Sequence, residues 1–293
     1  MVKNVFNNRF VPLMSDAGFK AVFAYRSNKD LLIGLLNHLL PEDVVVKDIV
    51  EYCDREQQQD TVESKRAVLD LICRGDGGKQ FIVEVQQEFY RDFFQRLVYY
   101  GSGVYHLTLD SGAAYGMLRP VYVISILNHK LAHKDESQWD SDNLIARYEF
   151  METRTKELAV PTISINLAEL GRFTKRLEEC ESERDYLFYW FLHGGTLESI
   201  PEEIERGSGY LRDLAKATEL ASMDKDQRLQ FESEIMNEID RIYQLDEKFR
   251  EGREEGAREN SVSVAKKLIG KGISIDVIAE CTGLSIDEIN QIQ

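Results

Sequence analysis

Apolar positions near the start of the chain recur at helical spacing. In "SDAGFKAVFAY", Phe19, Val22 and Phe23 share one face behind the capping residue Ser15, which predicts a first helix. A second is predicted over "KDLLIGLLNHLL", ended by Pro41. The period then changes. "VVVKDIVEY" (44–52), "RAVLDLICR" (66–74) and "QFIVEVQQEF" (80–89) are short and rich in β-branched residues, as strands are. "DFFQRLVYYGSGVYHLTL" returns to helical spacing, and "PVYVISIL" (120–127) reads as a buried strand. The predicted order is α-β-β-β-α-β, with further strands expected at "IARYEFME" and "PTISINLAEL".

Beyond residue 176 the pattern is helical. The expected division is an α/β domain over 1–175, a helical subdomain over 176–235 and a charged helical tail over 236–293. The tail closes on "KGISIDVIAECTGLSIDEINQIQ", two short helical patterns joined by "TGLS" in the manner of a helix-turn-helix. Its second helix, "IDEINQ", is acidic and would repel phosphates, which weighs against DNA reading there.

Among the 293 residues, 43% are hydrophobic and 30% charged, the balance of a soluble globular protein. No apolar run approaches the roughly 18 residues that suggest a membrane span, and "MVKNVFNNRFVPLMSD" lacks the apolar stretch of a secretory signal. Cys53, Cys73, Cys180 and Cys281 are scattered without ligand-like spacing, so a reducing, cytoplasmic location is expected, with neither a zinc site nor a disulfide framework. The net charge of -15 at first argues against a nucleic-acid partner. Its distribution removes much of that objection: residues 1–175 hold 21 Lys and Arg against 24 Asp and Glu, and the rest hold 15 against 27.

The stretch "VLDLICRGDGGKQFIVEVQQEF" (68–89) carries the chemistry. Alternation puts Ile82, Glu84 and Gln86 on one face of a strand and Val83 and Val85 on the other. A turn centred on Gly77 would oppose Ile72 to Ile82, Asp70 to Glu84 and Val68 to Gln86, and the two opposed acids would repel each other. Two converging, partly buried carboxylates call for a hard cation with oxygen ligands, Mg²⁺ or Mn²⁺. Such an ion supports phosphodiester hydrolysis, and the Gln86 amide would orient the attacking water. The alternative is a solvated sheet face whose acids pair with Lys65, Arg66 or Lys79.

The constellation resembles the PD-(D/E)XK nuclease superfamily, and within it the Rpn family of recombination-promoting nucleases, also described as putative transposases. The matching segments are "DAGFKAVF", "LDLICRGDGG", "IVEVQ", "RLVYYGSGVY" and "YGMLRPVYVISIL", spread over roughly residues 1–175. The resemblance implies an α/β fold with a mixed sheet flanked by helices. It also implies metal-binding acids at Asp70 and Glu84, and Gln86 standing where the wider superfamily has lysine. Asp16 would supply an upstream acid, with Lys20 beside it at i+4; an ordinary helix ion pair is the alternative. Gln95 and Tyr99, in a polar stripe with Ser102 and His106, resemble the QxxxY element of related nucleases. His129 and His133 have no evident partners and read as structural or exposed.

The activity expected from this resemblance is metal-dependent cleavage of DNA. A catalytically silent nuclease-fold module that binds DNA or a protein partner stands beside it, as does self-association through the C-terminal helices.

Overall fold

The first predicted helix forms over Asp16–Phe23 (α1) in the computed structural model, which describes residues 8–53, 70–88, 90–158 and 160–292. Ser15 caps it by accepting the Gly18 N–H at 3.0 Å. Gly18 is needed there, because a Cβ would lie 2.1 Å from the Pro12 carbonyl oxygen. Helix α2 (Lys29–Leu39) buries Leu31, Leu32, Leu35, Leu36 and Leu39 and ends just before Pro41.

Of the strand predicted over 44–52, Ile49–Tyr52 (β1) forms. The stretch before it is held by a side chain instead. The Asn37 amide donates to the Val46 carbonyl at 3.0 Å and accepts the Val46 N–H at 2.8 Å, satisfying the two groups that a neighbouring strand would take. Strand β2 spans Leu71–Gly75; residues 66–69 of the predicted strand, with Lys65 before them, lie outside the described residues. Strands β3 (Gln80–Gln86), β4 (Val121–Leu127), β5 (Ile145–Tyr148) and β6 (Ile163–Glu169) fall within their predicted segments.

Among the described residues these strands make one mixed sheet in the order β1-β2-β3-β4-β6-β5. The pairs β3/β4 and β4/β6 are parallel, while β1/β2, β2/β3 and β5/β6 are antiparallel. The β2–β3 register is the one expected from a turn at Gly77: Leu71 faces Val83, Ile72 faces Ile82, Cys73 faces Phe81 and Arg74 faces Gln80. Gly77 takes a left-handed φ of 68°, which a glycine adopts without strain. Every residue of β4 and β6 is buried, as expected of central strands covered on both faces.

Helix α3 (Phe93–Leu107) covers one face of the sheet, burying Phe93, Leu97 and Val104 with Ile72, Ile82, Val121, Val123 and Ile163. Gly101 brings the helix close, since a Cβ there would lie 2.9 Å from Ile163 Cγ2 and 3.1 Å from Val123 Cγ2. Helices α4 (Glu183–His193) and α5 (Gly209–Ala217) follow the sheet, α4 opened by a Ser182–Asp185 capping box. The N-terminal segment packs among them: Val11 N–H donates to Thr218 at 2.8 Å, and Phe10 meets the Trp190 ring edge-on at 5.2 Å.

The chain divides into two compact units, residues 1–234 and 235–293. Helix α6 (Lys225–Ile269) runs from one into the other. In the second unit α7 (Ile275–Thr282) and α8 (Ile286–Ile292) are joined through Gly283, at φ 70°, and pack around Ala265, Ile278, Leu284 and Ile289. Among the described residues no helix is long and apolar enough to cross a membrane.

Candidate active site

Strand β3 turns Ile82, Glu84 and Gln86 to the side of the sheet that α3 covers, Ile82 joining the apolar core there. Glu84 lies opposite Ser125 of β4 and is 2% exposed. Among the described residues its carboxylate makes no direct hydrogen bond or ion pair. Burial pushes its pKa up to about 7, and the positive charge of Arg96 on α3 acts in the opposite direction. Arg96 is held between two aromatic rings, with Tyr90 and Tyr100 each 5.7 Å from its guanidinium, and donates to the Tyr100 hydroxyl at 3.3 Å.

Asp70 stands one residue ahead of β2, 7% exposed. Its Oδ2 accepts the Val85 N–H at 2.8 Å, which brings the carboxylate to the residue after Glu84. Burial raises its pKa well above the ordinary carboxylate range. The charge of Asp16 and a hydrogen bond shared with it add to the rise; the Val85 N–H and Lys20 oppose it. Lys20 is 2% exposed, ion-paired with Asp16 one helical turn earlier, and its Nζ lies 3.8 Å from Asp70 Oδ1.

The structure thus brings Asp16, Lys20 and Asp70 together, so the Asp16–Lys20 contact is more than a solvated helix pair. It also corrects one expectation. The carboxylate whose charge acts on Asp70 is Asp16, where the hairpin pattern pointed to Glu84. The reason is local: Asp70 sits where the described ladder begins, and its side chain is turned onto the Val85 amide and toward α1.

Gln86 is half-buried at the end of β3, opposite Leu127, and among the described residues its side-chain amide makes no hydrogen bond. Its neighbour Gln87 ties this end of the strand down, donating to the Met14 carbonyl and accepting from Asn128 Nδ2 at 3.1 Å. Gln95, Tyr99, Ser102 and His106 all lie on the exposed side of α3. Lys79, a candidate partner for the hairpin acids, pairs with Asp76 at 3.6 Å instead; Lys65, Arg66 and Val68 lie outside the described residues.

Arg96 is the site residue that the sequence pattern passed over. The signal lies in the apolar stripe of α3, Phe93, Leu97, Gly101 and Val104, which marks the side facing the sheet. Arg96 and Tyr100 border that stripe, whereas Gln95 and Tyr99 lie nearly opposite it. His133 also has a partner after all. Its Nε2 meets the fully buried Glu169 at 2.5 Å, and its ring stacks on Trp139 at 3.8 Å. Glu169 further accepts the Leu131 N–H at 2.8 Å and Arg172 Nε at 2.7 Å, bracing the connection between β4 and β5.

The donors gathered at the hairpin are carboxylate oxygens. Among the described residues no three His, Cys, Asp or Glu side chains converge into a ready metal cage. Two buried acids, one of them without a hydrogen bond, suit a cation that completes its shell with water and substrate oxygens, as Mg²⁺ does.

A mixed sheet with parallel central strands, flanked by α1 and α3 and carrying buried acids at the ends of an antiparallel hairpin, defines a nuclease-type core of the PD-(D/E)XK class. The profile of the PD-(D/E)XK nuclease family transposases matches residues 13–248, and the chain belongs to that family. No curated protein and no solved structure matches the chain.

Proposed function

We propose that this protein is a metal-dependent endonuclease that hydrolyses phosphodiester bonds of DNA, with Asp70 and Glu84 holding the cation. The observation that carries this reading is the state of Glu84: buried, without a hydrogen bond among the described residues, its pKa raised to about 7, with Asp70 tethered to the next residue of the same strand. A carboxylate kept in that condition costs stability unless a cation joins it.

A bound divalent ion supplies Lewis-acid polarisation of a phosphoryl oxygen and acidifies a water. The chain's own residues do the rest. Asp70 is positioned by the Val85 N–H, and Lys20 stands close enough to offset the negative charge that Asp16 and Asp70 bring together. Gln86, uncharged and among the described residues free of other hydrogen bonds, orients the attacking water with its amide. Gln86 carries no formal charge for the phosphorane-like transition state, and among the described residues Lys20 and Arg96 are cations whose charge acts on the two acids. The attacking water gives up a proton to solvent as its oxygen forms the new P–O bond, the ester P–O bond breaks, and the departing alkoxide takes a proton from solvent.

The test incubates purified full-length protein with supercoiled plasmid and Mg²⁺ or Mn²⁺, beside Glu84→Gln. Nicking that needs the cation and is lost in the variant supports the reading, and nicking that survives rejects the assignment. A wild-type chain that binds plasmid without cutting it would establish the silent nuclease-fold module in its place.

A further inference from the structure

Residues 241–260 of α6 are exposed on every face. A helical stretch that buries nothing in its own chain has little beyond its backbone bonds to hold it. Gly252 and Gly256 weaken it further, since glycine is a poor helix former. Yet Ile242, Leu245 and Phe249 line one face, with Phe249 74% exposed, and the two glycines continue that face at intervals of three and four. Nothing lies within 4 Å of where a Cβ would stand at either glycine.

We infer that this face is the seam of an antiparallel helix pair formed with a second copy of the chain. Centring the pair between Arg250 and Glu251 sets Phe249 of each copy over Gly252 of the other, and Leu245 over Gly256. Large side chains then meet positions that offer room for them. The flanking charges fit the same register. Asp246 and Arg253 border the seam on one side, Lys248 and Glu255 on the other, and all four are exposed. In the antiparallel pair Asp246 meets Arg253 of the other copy and Lys248 meets Glu255, each contact occurring twice by two-fold symmetry. A parallel pair would set Lys248 against Arg253 and glycine against glycine, with repulsion at the rim and gaps in the seam. Beyond Leu245, Ile242 falls against Glu259, so the apolar contact is short and the association concentration-dependent.

Sedimentation of the full chain over a range of concentrations tests this. The expected result is a reversible monomer–dimer equilibrium. Arg253→Glu weakens it by about tenfold or more, and the charge exchange Asp246→Arg with Arg253→Glu restores it. Gly252→Ala also weakens the dimer by closing the space over which Phe249 lies, although alanine is the better helix former and a merely local role predicts no loss. A chain that stays monomeric at every concentration overturns the inference, as does a dimer indifferent to these changes. Tighter association of Arg253→Glu alone is the mark of a parallel pair and overturns it too.

Discussion

The Asp70 carboxylate holds the backbone N–H of Val85 at 2.8 Å, fastening the acid at the head of β2 to the residue that follows Glu84 on β3. The two acids are therefore located by the sheet itself and not by any bond between them. A cation acts on each: Lys20 of α1 lies 3.8 Å from Asp70, and the charge of Arg96 on α3 reaches Glu84 without an ion pair between them. Both carboxyl groups are nonetheless pushed toward neutrality, chiefly by burial.

Asp70→Asn keeps an oxygen for the Val85 N–H and removes a charge that burial and Asp16 disfavour. Without divalent cations the variant should melt about 2–4 °C higher, on the order of 1 kcal/mol for a chain of this size. The stabilisation given by Mg²⁺ should shrink, because one ligand has lost its charge. Calorimetry in chelator and in Mg²⁺ checks both. A lower melting temperature in chelator would mean that the charge of Asp70 holds α1 in place.

Glu84 sets a pH dependence whose sign is fixed. Its pKa is raised in the fold to about 7, so between the ordinary glutamate range and that value the native chain holds a proton that the unfolded chain has lost. Stability from this group therefore grows as pH falls through about 7, by roughly 3 kcal/mol in all. Glu84→Gln lacks the effect. In chelator the variant should be the more stable protein at pH 8, and urea titrations should show the gap closing toward pH 5.5.

Lys20→Met removes a buried cation from beside the half-buried Asp16 and the buried Asp70. Removing one partner of such a set costs about 3 kcal/mol. Adding Asp16→Asn should recover part of the loss, because the two residues act through the same contact. Additive losses in a double-mutant cycle would show that they do not.

How much of this was legible in the sequence depends on the range of each contact. The hairpin register followed from one glycine turn and the alternation of β-branched residues, and the Asp16–Lys20 pair followed from helical spacing. That Lys20 also reaches Asp70 was not legible, because it depends on where α1 comes to rest against a strand some fifty residues away. Arg96 was hidden by a conspicuous polar stripe on the wrong side of α3. Gly101, which marks the sheet-facing side by its lack of a side chain, looks unremarkable in a row of letters. The run Val44–Lys47 has the composition of a strand, and nothing local says that the Asn37 side chain will take the pairing at Val46.

Arg96→Met removes the charge that opposes the rise at Glu84, so that carboxyl should titrate at still higher pH. An NMR titration of the metal-free protein reads the shift without reference to activity. If Glu84 is a metal ligand, the ascending limb of the pH–rate profile for plasmid cleavage moves the same way, and the rate at neutral pH falls about tenfold. Arg96→Lys should keep much of the charge effect but lose the stacking between Tyr90 and Tyr100.

The parallel pairing of β3 with β4 also orders events during synthesis. Asp16, Lys20, Asp70, Glu84, Gln86 and Arg96 all belong to the first third of the chain, whereas β4 begins at Val121 and β6 at Ile163. A nascent chain carries the full set of chemical groups before it owns the wall that keeps water from them. Until Val121–Leu127 docks, Glu84 sits on an open strand edge, hydrated and as acidic as any surface glutamate. A product broken off before Val121 would have the acids without their dry setting, so the strands made after that point are what weaken the acidity of Glu84.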